Sequence, residues 1–262
     1  MTRENNQEDS STDFRTMIEK DRETRKSYEW RGTLIDYLEI VKENKAVATL
    51  AHARLYHMLR DQGISEVNVE EDPKLSRLYK NQKIKRFNFF AEDFYGMDET
   101  LAAVVRYFHA ASLKGEESRQ VLYLVGPVGS GKSSLAEKLK EGLEKLQPIY
   151  VIDGCPMHEE PLHLIPRHLR TEFSTMLGIQ IEGDLCPVCR YKLKTEYNNN
   201  WEDFPVRTRS FSRRNRVGIG VVPPVDPNNQ DTSVLIGSED ISKLDLYSEG
   251  DPRVLDLSGA VN

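Results

Sequence analysis

Apolar side chains recur at helical spacing from residue 34 onward: Leu34, Leu38 and Val41, then Leu50, Ala53, Leu55, Met58 and Leu59, with Gly63 placed to stop the run. A second helical stripe, Leu101, Val104, Val105 and Phe108, follows a turn at Tyr95–Gly96, with Asp98 as its expected N-cap. The pattern then changes. "QVLYLVG", residues 120–126, is a short continuous apolar run of the kind buried on both faces of a parallel sheet. "SSLAEKLKEGLEKL" returns to helical spacing, and "PIYVID" is a second buried strand. Helix, strand, loop, helix, strand predicts an α/β fold, a parallel sheet with flanking helices.

Three regions follow from the same pattern. Residues 1–29 are polar and charged, which predicts a mobile N-terminus. Residues 30–86 make a small helical region, residues 87–262 hold the α/β domain, and "EEDPKLSRLYKNQKIKRFNFF", residues 70–90, reads as a linker or short helix across their boundary. Beyond Gly154 the text is irregular, with a Pro/His stretch, a C-x-x-C, the Asn-rich "EYNNNW", an arginine cluster and the Pro-rich "VVPPVDPNNQD".

Between the first apolar run and the helix after it lies "GPVGSGKS", a full match to G-x-x-x-x-G-K-[ST]. Each residue type answers a need. Gly126, Gly129 and Gly131 let the backbone fold around phosphates and turn successive N–H groups inward, with Pro127, Val128 and Ser130 completing the loop. A helix starting at Lys132 adds its positive dipole end. Lys132 supplies a point charge to the β and γ phosphates and is the expected catalytic residue, while the Ser133 hydroxyl is placed to ligate Mg²⁺. Hydrolysis usually also needs an acid on a later strand. Asp153 is the one superficial candidate, but Gly154 rather than a second acid follows it, and it reads better as the end of a structural strand.

Bulk properties narrow the setting. A net charge of −6 argues against a general nucleic-acid binder, and no apolar run approaches the roughly 20 residues of a membrane span. The N-terminus has no apolar core for a secretory signal, and three cysteines suggest no disulfide framework, so a reducing cytoplasm is the default. Cys186 and Cys189 have the spacing of a zinc knuckle, but a knuckle supplies two of four ligands. Cys155 with His158, His163 or His168 would complete a set; buried or free thiols are the plainer expectation. Glu159 and Glu160 are adjacent, and adjacent acids usually point apart. Arg207, Arg209, Arg213, Arg214 and Arg216 form a basic segment, read as a solvated loop, as an arginine serving a neighbouring subunit's nucleotide or as a nucleic-acid contact.

Several phrases in order, "FFAEDFYGMDETLAAVVRYFHAAS", "LVGPVGSGKSSL", "CPMHEEPLHLIP", "LCPVCRYKL", "RVGIGVVPPVDPNNQDTSVLIGSEDISKL" and "GDPRVLDLSGAVN", resemble the PrkA family of bacterial and archaeal serine protein kinases, from about Ser27 to the last residue. The resemblance implies an AAA-type P-loop ATPase domain that binds Mg-ATP, acts on protein substrates by serine phosphorylation and assembles as a homo-oligomer of AAA type. It carries the phosphate role onto Gly126 to Ser134. It also places Tyr95, Gly96 and Met97 where AAA proteins pack against adenine. In the family the phrases "LIGSEDIS" and "DLSGAVN" lead into the acidic Walker B strand, so the resemblance implies a chain cut before that strand. No H-R-D, D-F-G or V-A-I-K kinase signature is present. An ATP-dependent remodelling or proteolytic machine, or an ATP sensor without kinase turnover, is therefore the alternative.

Overall fold

The computed structural model describes residues 14–20, 22–23, 28–67, 73–79, 84–222 and 232–260. The first part of the polar N-terminus and the Pro-rich stretch at 223–231 lie outside the described residues. So do parts of the linker and the last two positions. Residues 14–20 are helical with exposed side chains. In chain order the strands are β1 (Arg31–Thr33), β2 (Ile64–Val67), β3 (Ile84–Phe87), β4 (Ile149–Ile152), β5 (Pro205–Arg209), β6 (Ser238–Glu239) and β7 (Leu255–Asp256). The α-helices used below are α1 (Leu34–Glu43), α2 (Ala51–Asp61), α3 (Pro73–Tyr79), α4 (Asp98–Ser112), α5 (Lys132–Glu144), α6 (Arg170–Leu177) and α7 (Pro187–Thr195).

The chain forms two compact units, one spanning Thr49–Leu146 and the other built from the described residues on either side of it. This division falls at residues 48/49 and 146/147, not between the expected helical region and α/β domain at 86/87.

In the discontinuous unit, Thr33 begins α1 with a capping box: its hydroxyl takes the Asp36 N–H while the Asp36 carboxylate takes the Thr33 N–H. Leu34, Tyr37 and Val41 are fully buried, three residues of one helical stripe, with Leu38 partly buried beside them. They pack with Ile152, Ile165, Phe204 and Val206. The sheet order is β1–β5–β4, and both pairings are antiparallel, with Gly32 opposite Val206 and Ile152 opposite Val206 from the other side. "PIYVID" thus does form a strand, but with an antiparallel partner more than 50 residues later instead of the expected parallel one.

The family phrases near the end of the chain acquire a physical meaning here. β6 and β7 pair antiparallel, Ser238 opposite Asp256 and Glu239 opposite Leu255, and the Ala260 N–H bonds to the Val234 carbonyl at 3.0 Å. A Cβ on Gly220 would run into the Ala260 carbonyl, one on Gly237 into the Asp256 carbonyl, and one on Gly259 into the Leu235 carbonyl. Glycine is required because backbone meets backbone, and neither side has a flexible end that can yield. Gly259→Ala is expected to destabilise this region by about 2 kcal/mol. The measurement is hydrogen exchange at residues 234–239 and 255–260, where unchanged protection would show that the close approach is not needed.

In the Thr49–Leu146 unit, the long helical text resolves into α2, ended by Gly63 at φ +88°, after a separate α1. β2 and β3 pair antiparallel from Ile64–Phe87 to Val67–Ile84. Leu101, Val104, Val105 and Phe108 of α4 are buried as the periodicity predicts, against Met58, Leu59, Phe90 and Leu135. Asp98 differs from expectation. It is the first residue of α4, after an N-cap Met97 that makes no side-chain bond, and it is buried at 3% exposure. Its carboxylate takes two bonds from Arg86 (Nε to Oδ1 2.7 Å, Nη2 to Oδ2 3.1 Å) and one from the Tyr79 hydroxyl at 2.8 Å. A guanidinium offering two parallel donors outcompetes a local helix N–H for a carboxylate.

Candidate functional site

The G-x-x-x-x-G-K-S loop lies within the Thr49–Leu146 unit and leads into the first turn of α5. Gly129 and Gly131 both sit at φ +80°, in the left-handed region that favours glycine, and Gly131 is the N-cap of the helix. A Cβ on Gly126 would lie 2.8 Å from the Ser130 hydroxyl, so the third glycine answers a close approach. The helix therefore starts at Lys132 as the motif requires, with the Ser133 and Ser134 side chains exposed on its first turn. The Lys132 ammonium donates to the Gly126 carbonyl at 2.8 Å, the Pro127 carbonyl at 2.7 Å and the Ser130 hydroxyl at 2.9 Å. It is thereby held over the loop whose backbone N–H groups the motif aims at phosphate. Val128, at the loop tip, is fully exposed.

The proposed adenine-side residues are brought to the same place in part. Gly96 turns the chain at φ +70°, where a Cβ would meet Leu78 at 3.0 Å. Met97 lies against the loop, its sulfur 3.7 Å from the position of a Cβ on Gly131, while Tyr95 is 60% exposed.

The stretch before the loop does not behave as expected. Residues 121–126 carry no regular structure, and no strand pairs with them among the described residues. Leu122 and Leu124 pack on the core, whereas Val121, Tyr123 and Val125 are 90%, 82% and 79% exposed. Alternation of this kind is a strand's side-chain period with only one face covered. The apolar run predicted burial on two faces, and the described residues provide one.

Asp153, the superficial candidate for a metal-holding acid, belongs to the other unit and stands 2.8 Å from Arg207 Nε on β5, a close charge contact with the N–H off line. Arg216 donates to the Ser258 carbonyl at 2.8 Å. Arg207 and Arg216 of the clustered arginines therefore have structural partners, which the expectation of a solvated loop did not anticipate.

The C-x-x-C lies in the discontinuous unit. Cys186 is the N-cap of α7, and Cys189 is on its first turn. They are joined by Cys155, and the fourth member of the group is Glu159 instead of the expected histidine. His163 reaches the cluster through Glu159, with Nδ1 3.2 Å from Oε1. Hydrogen bonds from Cys186 and Cys189 hold the Cys155 thiol well below its ordinary value, to about 4, and burial pushes Glu159 up. Glu160 points elsewhere, accepting from the Tyr37 hydroxyl at 2.7 Å, so the two adjacent acids part as expected. The sequence places Glu159 only beside Glu160 and Asp98 only at a helix start, and it does not reveal the partners of either. For Glu159 the usable signal was its three-residue gap from Cys155; for Asp98, Arg86 and Tyr79 no local pattern links the three.

The family model of the PrkA AAA domain matches residues 32–262. The chain is 42% identical over 257 residues to "ATP-dependent protease PrkA" of Bacillus subtilis (strain 168), covering 95% of this chain and 38% of that protein. It is 34% identical over 236 residues to "Serine/threonine kinase YeaG" of Escherichia coli (strain K12), covering 87% of this chain and 36% of that protein. A shorter similarity, 31% over 112 residues, links 42% of the chain to 14% of "Lon protease" of Syntrophus aciditrophicus (strain SB). The chain thus spans less than two-fifths of the length of these relatives. No solved structure matches it. With a G-x-x-x-x-G-K-S loop on the first turn of a helix and a family match over most of its length, the chain belongs to the PrkA AAA domain family.

Proposed function

We propose that this chain is the Mg-ATP-binding part of a PrkA-type AAA ATPase that acts on proteins. The observation that carries the reading is the loop itself. Two glycines at φ +80°, a helix starting at Lys132 and an ammonium held over the loop form a phosphate cradle whose chemistry needs no other explanation. Gly126 to Ser134 would hold the phosphates, Ser133 would ligate Mg²⁺, and Tyr95 to Met97 would border the adenine. Bound Mg²⁺ would supply charge neutralisation between the β and γ phosphates. Assembly as an AAA-type homo-oligomer, a cytoplasmic setting and a protein substrate belong to the same proposal. Among the described residues no helix is long and apolar enough to cross a membrane.

What the ATP is used for has two readings. Serine phosphorylation of a protein substrate follows from the family resemblance and from the name of the E. coli relative. ATP-dependent proteolysis or remodelling is favoured by the name of the B. subtilis relative and by the similarity to Lon proteases, and no protein-kinase signature stands against it. Incubation with γ-labelled ATP and a protein mixture separates them. Label on serine that disappears with Lys132→Ala supports the kinase, and ATP-dependent loss of substrate with phosphate release supports the protease. For the 262-residue chain itself the expected result is binding with little turnover, because no strand among the described residues carries an acidic pair. Robust phosphate release by this chain alone would overturn that expectation.

A further inference from the structure

The loop after β4 and the start of α7 bring three thiols and one carboxylate into a single buried cluster. We infer that Cys155, Glu159, Cys186 and Cys189 form a closed, four-coordinate structural zinc site that fastens these two segments together. Their ligand atoms, three Sγ and one carboxylate oxygen, all lie within 4.8 Å of one another. Cys155 Sγ and Cys186 Sγ are 3.9 Å apart. Two sulfurs at about 2.3 Å from a tetrahedral zinc are separated by about 3.8 Å, whereas a disulfide requires about 2.05 Å. Glu159 Oε2 stands 3.8 Å from Cys155 Sγ, against about 3.5 Å for a sulfur–oxygen edge of the same tetrahedron. The spacing is that of atoms sharing a metal.

The surrounding backbone supports the assignment independently of those distances. Cys186 caps α7 with Pro187 at the first helical position, and its sulfur accepts the Cys189 N–H at 3.3 Å. A C-x-x-C at a helix start therefore presents both sulfurs to one side, at the end of the helix where anionic sulfur is favoured. On the opposite segment, Gly154 at φ +71° and His158 at φ +50° turn the chain tightly, so that Cys155 and Glu159 face the same way. Glu159 Oε1 is occupied by the Cys186 N–H at 2.8 Å and by His163 Nδ1 at 3.2 Å, which leaves Oε2 toward the sulfurs. This is the outer support that a ligating carboxylate needs. Burial supplies the electrostatic reason. Cys189 is fully buried, Cys155 and Cys186 are 5% exposed and Glu159 is 9% exposed, and a dication offsets about half of the negative charge that such a donor set carries when it ligates. With all four positions filled by protein atoms, the site has no open place for substrate. Its role is to tie together residues 31 positions apart in a stretch of few regular elements.

The test is metal content and cobalt substitution on the purified 262-residue chain kept under reducing conditions. The expected result is about one zinc per chain by mass spectrometry of the metal. Exchange with Co²⁺ should give the sulfur-to-cobalt charge-transfer absorption and the visible bands of a tetrahedral site. Cys189→Ser should lose the metal. Glu159→Gln should lower zinc affinity, and His163→Asn should weaken it by about 10- to 100-fold without abolishing it. Less than about 0.1 zinc per chain together with no charge-transfer band when Co²⁺ is added to wild type would overturn the site. So would an intramolecular Cys155–Cys186 disulfide in the reduced preparation. Full affinity in Glu159→Gln with complete loss in His163→Asn would overturn Glu159 as the fourth ligand. The wild-type cobalt readout keeps the question open to refutation even if a cysteine variant fails to fold.

Discussion

Lys132→Ala is expected to lower the affinity for Mg-ATP by roughly 100-fold or more, with the fold left intact. The ammonium is the one side-chain charge that the loop presents on the first turn of α5. It is held there by three acceptors, the Gly126 and Pro127 carbonyls and the Ser130 hydroxyl. Charge-assisted bonds to phosphate contribute about 1.5–3 kcal/mol each, and two such bonds from one lysine exceed the 1.4 kcal/mol that makes a factor of ten. The loop acceptors, by contrast, are largely exposed to water, so losing the lysine should change unfolding by less than about 1 kcal/mol. Isothermal titration with Mg-ATP, beside thermal unfolding of the same variant, reads both quantities. Equal affinity in the variant would remove Lys132 from the site. Arginine in its place should not restore binding, because a planar fork does not fit where a compact point charge sits inside a loop of backbone N–H groups.

Asp98→Ala is expected to destabilise the Thr49–Leu146 unit by about 3–5 kcal/mol, because it leaves Arg86 and the Tyr79 hydroxyl without their shared acceptor. Against a typical folding stability of about 5–15 kcal/mol that is a large fraction. Arg86→Met should cost a similar amount, and the double variant less than the sum, since removing both partners leaves no orphaned charge. Acid should act through the same group. Burial alone would raise the Asp98 value, but the bonds from Arg86 and Tyr79 outweigh it and hold the carboxyl below its ordinary range. Its contribution is therefore fully present above the unfolded carboxylate value of about 4 and is lost as pH falls through the lowered folded value. Burial pushes Tyr79 up to about 12, so its hydroxyl stays a donor throughout that window. Both tryptophans, Trp30 and Trp201, lie outside this unit, so indole fluorescence would miss the event. Hydrogen exchange along Asp98–Ser112 at pH 7 and pH 3 is the suitable measurement, and unchanged protection in Asp98→Ala would exclude the network as a stabilising element.

What was legible in the sequence was local. The turns at Gly129 and Gly131, the start of α5 at Lys132, the stripe of α4 and the stop at Gly63 depend on side-chain period and on backbone conformations that only glycine adopts readily, and both act within a few residues. The divergence of Glu159 and Glu160 was equally local. What only the tertiary structure decided was pairing across distance. It joined β4 to β5 antiparallel, left Val121, Tyr123 and Val125 uncovered, and turned Asp98 from a helix cap into the centre of an ion pair. It also set Gly220, Gly237 and Gly259 against facing carbonyls, and it gathered Cys155 and Glu159 to Cys186 and Cys189. The physical reason is common to all of these. An apolar run or a carboxylate states that it needs a partner, but which partner it receives is settled by competition for burial among residues tens of positions away, and that competition is resolved only when the chain is packed.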